Sequence, residues 1–274
     1  MRTCTSAREL RLALAGAPRP VGFVPTMGAL HEGHAELVRR CRAECASVVV
    51  SIFINPLQFD DASDLERYPR ALDADADLLA GLGADLLFVP GVGEMYPEDH
   101  VVRIEPGPIG DRYEGEARPG HFSGVATVVA KLFHISGADR AYFGRKDAQQ
   151  LAIIRTLVRD LDFPMEVVAV ETVRDSDGLA KSSRNARLDS EQRERALGLS
   201  AGLFRARDAW RGGERDFGRL VETARTPGLD YDYLACVDPD RFGEPSPAGP
   251  ALLVAAVRLP GVRLIDNVVL ERAS

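Results

Sequence analysis

From residue 20 to about 173, short β-branched runs alternate with longer segments whose apolar residues recur at helical spacing. That alternation constrains the fold more than any other feature. Strands joined by helical crossovers run parallel, and a parallel sheet needs helices over both faces to bury it. The expected strands are VGFVPT (21–26), SVVVSIFI (47–54), ADLLFVP (84–90), DRAYF (139–143) and MEVVAV (165–170). Between them, three sets form the apolar stripes of covering helices: Leu37, Val38 and Cys41; Val125, Val128, Val129 and Leu132; Leu151, Ile154, Leu157 and Leu161. The fold class is therefore α/β.

After Val173 the pattern changes. SDGLAKSSRN (176–185) is polar, carries Lys181 and Arg184, and reads as a mobile loop. Helical segments follow near 189–210 and 214–225, then strand-like runs at 231–237, 251–258 and 262–270, with the turn-rich FGEPSPAGP (242–250) among them. Two domains are expected, one over 1–175 and a smaller α+β domain over 176–274.

Composition enters mainly by exclusion. Lys+Arg 34 against Asp+Glu 41 gives a net charge of -7, which disfavours nucleic acid as a partner. The cysteines, Cys4, Cys41, Cys45 and Cys236, contain no CxxC pair and read as free thiols of a reducing compartment, which makes the location cytoplasmic. Arg2, Arg8, Glu9 and Arg11 interrupt any apolar signal segment, and the stretch from Val48 to Ile54 is too short to cross a bilayer. No membrane association is expected.

The chemistry concentrates after the strands. Pro25-Thr26 leads through Met27-Gly28-Ala29-Leu30 into His31-Glu32-Gly33-His34 and then a helix. Doubly wound folds bind ligands outside the carboxyl ends of their strands, where helix N–H groups face the site, so an anion is expected here. Gly28 and Gly33 allow close backbone approach, and His31 and His34 can point together to stabilise a pentacovalent phosphate. A metal site is the rival reading of the two histidines. Cys41 and Cys45 do not complete it, since they lie roughly 10 and 16 Å along the helix from His34. Neither GxxxxGK[ST] nor a GxGxxG after the first strand is present, and GHFSG (120–124) is not a GxSxG hydrolase turn.

Asn55 and Gln58 follow the second strand, at the same sheet edge, where amides suit hydroxyl and carboxylate groups. FGRKDAQQ (143–150) also opens after a strand, with Lys146 as a compact cation, Asp147 as a helix cap or nucleotide contact, and Gln150 one turn on. Lys181-Ser182-Ser183-Arg184 offers cations and hydroxyls for departing phosphates.

Taken in order, PTMGALHEGH, SIFINPLQF, DLERYPR, RPGHFSGV, YFGRKDAQQ and DGLAKSSRN resemble the motifs of the pantothenate synthetases (pantoate–beta-alanine ligases), over about residues 20–190. The resemblance implies a Rossmann-like nucleotidyltransferase domain over 1–175 that binds ATP and pantoate, with 176–274 as a lid, in a cytosolic homodimer. It implies an ATP- and Mg2+-dependent reaction in which pantoate is adenylated with loss of pyrophosphate and beta-alanine then displaces AMP. By position it puts ATP against Met27, Gly28, Ala29, Leu30, His31, Glu32, Gly33 and His34. It adds Gly144, Arg145, Lys146 and Asp147, then Val173, then Lys181, Ser182, Ser183 and Arg184. His34, with His31 and Lys146, would be catalytic, while Gln58, Gln150 and Asn55 would serve pantoate and beta-alanine. Tyr68, Arg118 and His121 match the motifs without an assigned role. Three residues depart from the pattern: Arg145 for the usual Glu, Ala148 for an aromatic, and Lys181 for an apolar residue. Two of these add positive charge, so tighter ATP or pyrophosphate binding is expected. The HxGH turn by itself leaves open another adenylyl- or cytidylyltransferase of this fold, or a nucleotide sensor without turnover.

Overall fold

The computed structural model describes all residues except 60, 61, 99, 247 and 272–274, and describes no side chain for 62 and 63. Pro247, part of the turn-rich stretch expected at 242–250, thus lies outside the described residues. The chain runs β1 (Arg2–Cys4), α1 (Ala7–Leu14), β2 (Val21–Thr26), α2 (Glu32–Glu44), β3 (Ser47–Ile52), α3 (Ala62–Glu66), α4 (Leu72–Gly81), β4 (Leu86–Phe88) and α5 (Val92–Met95). It continues through α6 (Glu114–Ala117), α7 (His121–Ser136), β5 (Arg140–Gly144), α8 (Ala148–Asp160), β6 (Glu166–Val170), α9 (Ser190–Arg211), α10 (Phe217–Ala224), β7 (Asp230–Val237), β8 (Ala251–Leu259) and β9 (Val262–Leu270). No described helix is long and apolar enough to cross a membrane.

The chain divides into two compact units: Met1–Arg145 with Ile153–Val170, and Lys146–Ala152 with Glu171–Ser274. The division falls at 170/171 rather than after 175 because the segment beyond β6 bonds to the second unit's own sheet. Arg174 forms a two-pronged ion pair with Asp266 of β9 at 2.7 and 2.9 Å.

In the first unit six parallel strands lie in the order β1-β4-β3-β2-β5-β6. The β3 run is buried at every position, as a central parallel strand covered on both faces must be. Gly22 shows how closely α2 lies on β2, since a Cβ there would stand 2.2 Å from Cys41 Sγ and 2.7 Å from Cys45 Sγ. Those two thiols are core filling beneath the sheet. The pattern of runs missed β1, which is only three residues long and pairs with β4 at the edge, and α1, which a Ser6–Glu9 capping box starts. The connections from β2 leave toward β3 on one side, and β5 lies on the other, so the carboxyl ends of β2 and β5 form the switch point where such sheets bind ligands.

In the second unit β7, β8 and β9 form an antiparallel sheet. Leu199, Leu203 and Trp210 of α9 pack with Leu220 of α10 and with Leu253 and Leu264 of the sheet in one apolar core.

Candidate active site

The turn after β2 is built by a carboxylate. Gly28 (φ 83°) and Ala29 (φ 51°) are consecutive left-handed residues, a conformation that costs energy at Ala29. Asp75 of α4, 4% exposed, holds them: its two oxygens accept from the N–H groups of Ala29 and Leu30, each at 2.8 Å. A Cβ at 28 would be strained by the positive φ and would crowd Asp75 Oδ2 and Ile52, each at 3.1 Å.

His31 is the N-cap of α2. Its Nδ1 accepts from Gly33 N–H at 3.1 Å, and His34 Nδ1 accepts from His31 N–H at 3.3 Å. An accepting Nδ1 carries no proton, so both rings are assigned as Nε2–H tautomers. The ring centroids stand 4.2 Å apart. The first amides of α2 were expected to face an anion directly. Instead Gly33 N–H goes to the His31 ring, and the N–H groups of His34 and Ala35 go to the His31 carbonyl at 2.8 and 3.0 Å.

Gln58 sits in a 3-10 turn after β3 and is held from three directions. Its carbonyl accepts from His121 Nδ1 at 2.9 Å and from Arg118 Nη2 at 3.3 Å, while Arg118 Nη1 lies 3.3 Å from His121 Nε2. Its Oε1 accepts from Asn55 Nδ2 at 2.9 Å, and its Nε2 reaches Met27 Sδ at 3.1 Å, tying this turn to the one after β2. Asn55 is 1% exposed and wholly engaged inside the protein. It donates also to Gly124 carbonyl at 3.1 Å, and accepts from Leu57 N–H at 3.3 Å and from Tyr96 O–H at 2.8 Å. Gly124 allows the close approach, because a Cβ there would lie 2.2 Å from Leu57 carbonyl oxygen. Burial pushes the Tyr96 phenol well above its ordinary pKa, so it remains a donor. Tyr68 makes an edge contact with Phe59 at 5.7 Å.

In the second unit, Lys146, Ser182 and Arg184 line one small open cleft together with Arg263 and the apolar Leu179 and Leu264. Lys146 Nζ stands 3.8 Å from Asp147 Oδ1, and its carbonyl accepts from Asn267 Nδ2 at 2.9 Å. Asn267 follows Asp266 on β9, so the Lys146 backbone is held beside the Arg174 ion pair. The loop expected at 176–185 carries local order. An antiparallel bridge joins Arg174 and Ala180, Lys181 N–H bonds Val173 carbonyl at 2.9 Å, and Ser182 caps a 3-10 turn over Ser183–Arg187. Lys181 Nζ is 2.6 Å from Asp175, so its charge is met locally rather than added to the cleft. Ser183 and Arg184 are exposed; Gln150 is half-buried on α8, beside a buried Gln149. At the β5 end, Gly144 closes the strand and Arg145 N–H bonds Val170 carbonyl at 2.8 Å. Glu32 is exposed on the first turn of α2, where Arg39 pairs with it at 2.7 Å.

Asp75, Tyr96, Arg263 and Asn267 were not found from the sequence. Asp75 left a signal, since it lies four residues before the buried Leu79 and so on the same inward face of α4. The others left none.

Residues 1–269 match the family model described as Pantoate-beta-alanine ligase. The pantothenate synthetase of Acidothermus cellulolyticus is 50% identical over 97% of this chain and 90% of its own length. That of Deinococcus radiodurans is also 50% identical, over 96% and 98%. A crystal structure of the Thermus thermophilus pantothenate synthetase superposes with a TM-score of 0.91 at 48% identity, covering 99% of this chain and 100% of its own. The pantoate-beta-alanine ligase of Francisella tularensis, complexed with beta-gamma ATP and beta-alanine, matches with a TM-score of 0.81 at 33% identity over 100% and 99%.

Proposed function

Because the chain belongs to the pantoate-beta-alanine ligase family, we propose that it joins pantoate to beta-alanine through a pantoyl adenylate, with the two neutral imidazoles of the turn after β2 as donors to the reacting phosphate. ATP-dependent ligation is the family activity. The observation that carries the residue reading is the pair of accepting Nδ1 atoms, which leaves His31 and His34 to present Nε2–H.

In the first step a carboxylate oxygen of pantoate bonds the α-phosphorus, the bond from that phosphorus to the bridging oxygen breaks, and pyrophosphate leaves with the electron pair. Two anions must meet for this. Repulsion between unit charges at 4 Å is about 1 kcal/mol in water and about 4 kcal/mol at an effective dielectric of 20, so donors and cations are needed. His31 and His34 act at the α-phosphate, while Lys146, Ser182 and Arg184 receive the departing phosphates, with Arg145, Asp147, Val173 and Ser183 among the nucleotide contacts. Gln58 and Gln150 hold pantoate, and Asn55 acts by holding Gln58. In the second step the neutral amine of beta-alanine attacks the acyl carbon, the bond to AMP breaks, and the amine gives its surplus proton to solvent.

Magnesium belongs to this reading as the ATP complex, held by phosphate oxygens and water. Among the described residues no three His, Cys, Asp or Glu side chains gather closely enough to hold a metal ion. A cytoplasmic homodimer is part of the same reading, and the four free thiols suit a reducing compartment.

The experiment is exchange of labelled pyrophosphate into ATP with magnesium and pantoate but no beta-alanine. Exchange that requires pantoate supports the adenylate; its absence in an enzyme that still makes pantothenate would sink it. His34→Ala and Lys146→Ala should each slow the exchange by about 10² or more.

A further inference from the structure

A glutamine amide has nearly the same shape whichever way round it lies, yet one end donates two hydrogen bonds and the other accepts two. Which end of Gln58 faces the ligand therefore decides what the site recognises. Asn55 settles the sense. Its Oδ1 faces Leu57 N–H, which can only donate, and its Nδ2 faces Gly124 carbonyl, which can only accept. Its second N–H must then go to Gln58 Oε1 at 2.9 Å, turning the Gln58 N–H groups the other way. There Nε2 meets Met27 Sδ, a weak acceptor that a carboxylate oxygen would displace.

Tyr96 completes the arrangement. The Leu57 bond to Asn55 is long at 3.3 Å, and Tyr96 O–H supplies the short one at 2.8 Å. All four bonding positions of the Asn55 amide are thereby used, and at 1% exposure it has nothing left for a substrate. The tyrosine ring is itself fixed between Phe53 at 6.0 Å and His100 at 4.8 Å, with Lys131 5.7 Å from its centroid.

We propose that Tyr96 is a positioning residue for pantoate: its hydroxyl, acting through Asn55, holds Gln58 with both N–H donors toward the substrate, so that the site selects an acid presenting oxygen acceptors there. The proposal rests on the reading that Gln58 holds pantoate, and the test separates the two.

Steady-state constants are measured for Tyr96→Phe, Gln58→Ala and the double variant. Tyr96→Phe keeps the ring and removes only the hydroxyl. Its pantoate KM should rise about five- to tenfold, the effect of one lost hydrogen bond, with the ATP KM within about twofold. On the Gln58→Ala background, where the pantoate KM is already raised, the same change should add nothing. An unchanged pantoate KM in Tyr96→Phe overturns the proposal, and so does an effect that persists in full without Gln58. If Gln58→Ala leaves the pantoate KM unchanged, the reading of Gln58 falls and takes the proposal with it. Asn55→Asp gives a second route. A carboxylate cannot donate to Gln58 Oε1, so the amide must turn and offer its carbonyl, and the pantoate KM should rise while the ATP KM holds. An Asn55→Asp enzyme with an unchanged pantoate KM would contradict the proposal whatever Tyr96→Phe does.

Discussion

Asp75 and Gly124 stand behind the two turns of the proposed site, and each decides where one of its side chains sits. Asp75 binds the amides of Ala29 and Leu30 with both oxygens, which stabilises the left-handed residues leading into His31. Asp75→Asn keeps one acceptor and turns an amide donor against the other N–H. It should slow pantoate-dependent pyrophosphate exchange at least about tenfold, given about 1.5–3 kcal/mol for a bond to a charged group. Aminolysis of supplied pantoyl adenylate by beta-alanine should be little affected, and equal losses in both steps would show a general structural defect instead. Gly124→Ala places a methyl 2.2 Å from Leu57 carbonyl and must push the Gln58 turn away. Raised pantoate KM with normal ATP KM is the expected result of kinetic assay. The sequence displayed Gln58 and the histidines because they follow strands. It hid Asp75 among Asp73 and Asp77, solvated neighbours of the same residue type, and only its spacing to Leu79 distinguishes it.

At the scale of elements, the polar run 176–185 and the Arg174–Asp175 flank before it are tied down more than composition suggests. A polar run reads as mobile, but Arg174, Asp175 and Lys181 each find a partner, and such partners are invisible until β9 and α9 are in place. Asp175 is held below its ordinary value of 3.8 by Lys181 first and by Arg193 next. A depressed carboxylate contributes stability that is full above its unfolded value and is lost as pH falls through 3.8 toward the folded one. Wild type should therefore exceed Asp175→Asn in unfolding temperature at pH 7, by a margin worth at most about 1 kcal/mol for a partly exposed group, and the margin should close below about pH 4. Because Asp175 already neutralises Lys181, Lys181→Met should change the ATP KM less than Arg145→Glu does. The buried Arg174–Asp266 pair is a different case, with Asp266 only 2% exposed. Asp266→Ala leaves a cation half-buried without its partner and should cost about 3–5 kcal/mol, measurable by denaturant unfolding.

For the molecule as a whole, alternation of strand and helix announced the parallel sheet, since both faces of such a sheet must be covered. The strand order, with β1 at one edge and the switch between β2 and β5, was not legible, because a three-residue strand has no period to read. The division into units was displaced for a related reason. Chain order suggested a break at a polar loop, whereas the bond that Asn267 of β9 donates to the Lys146 carbonyl and those that Arg174 donates to Asp266 tie both segments to the second unit. On the proposed mechanism this ligase passes through a pantoyl adenylate. Its most direct test is to supply pantoate labelled with ¹⁸O in the carboxylate, together with ATP, magnesium and beta-alanine, and to weigh the AMP formed. Attack of that carboxylate on the α-phosphorus predicts one ¹⁸O atom in each AMP. AMP without label, alongside normal yields of pantothenate, would rule out the adenylate.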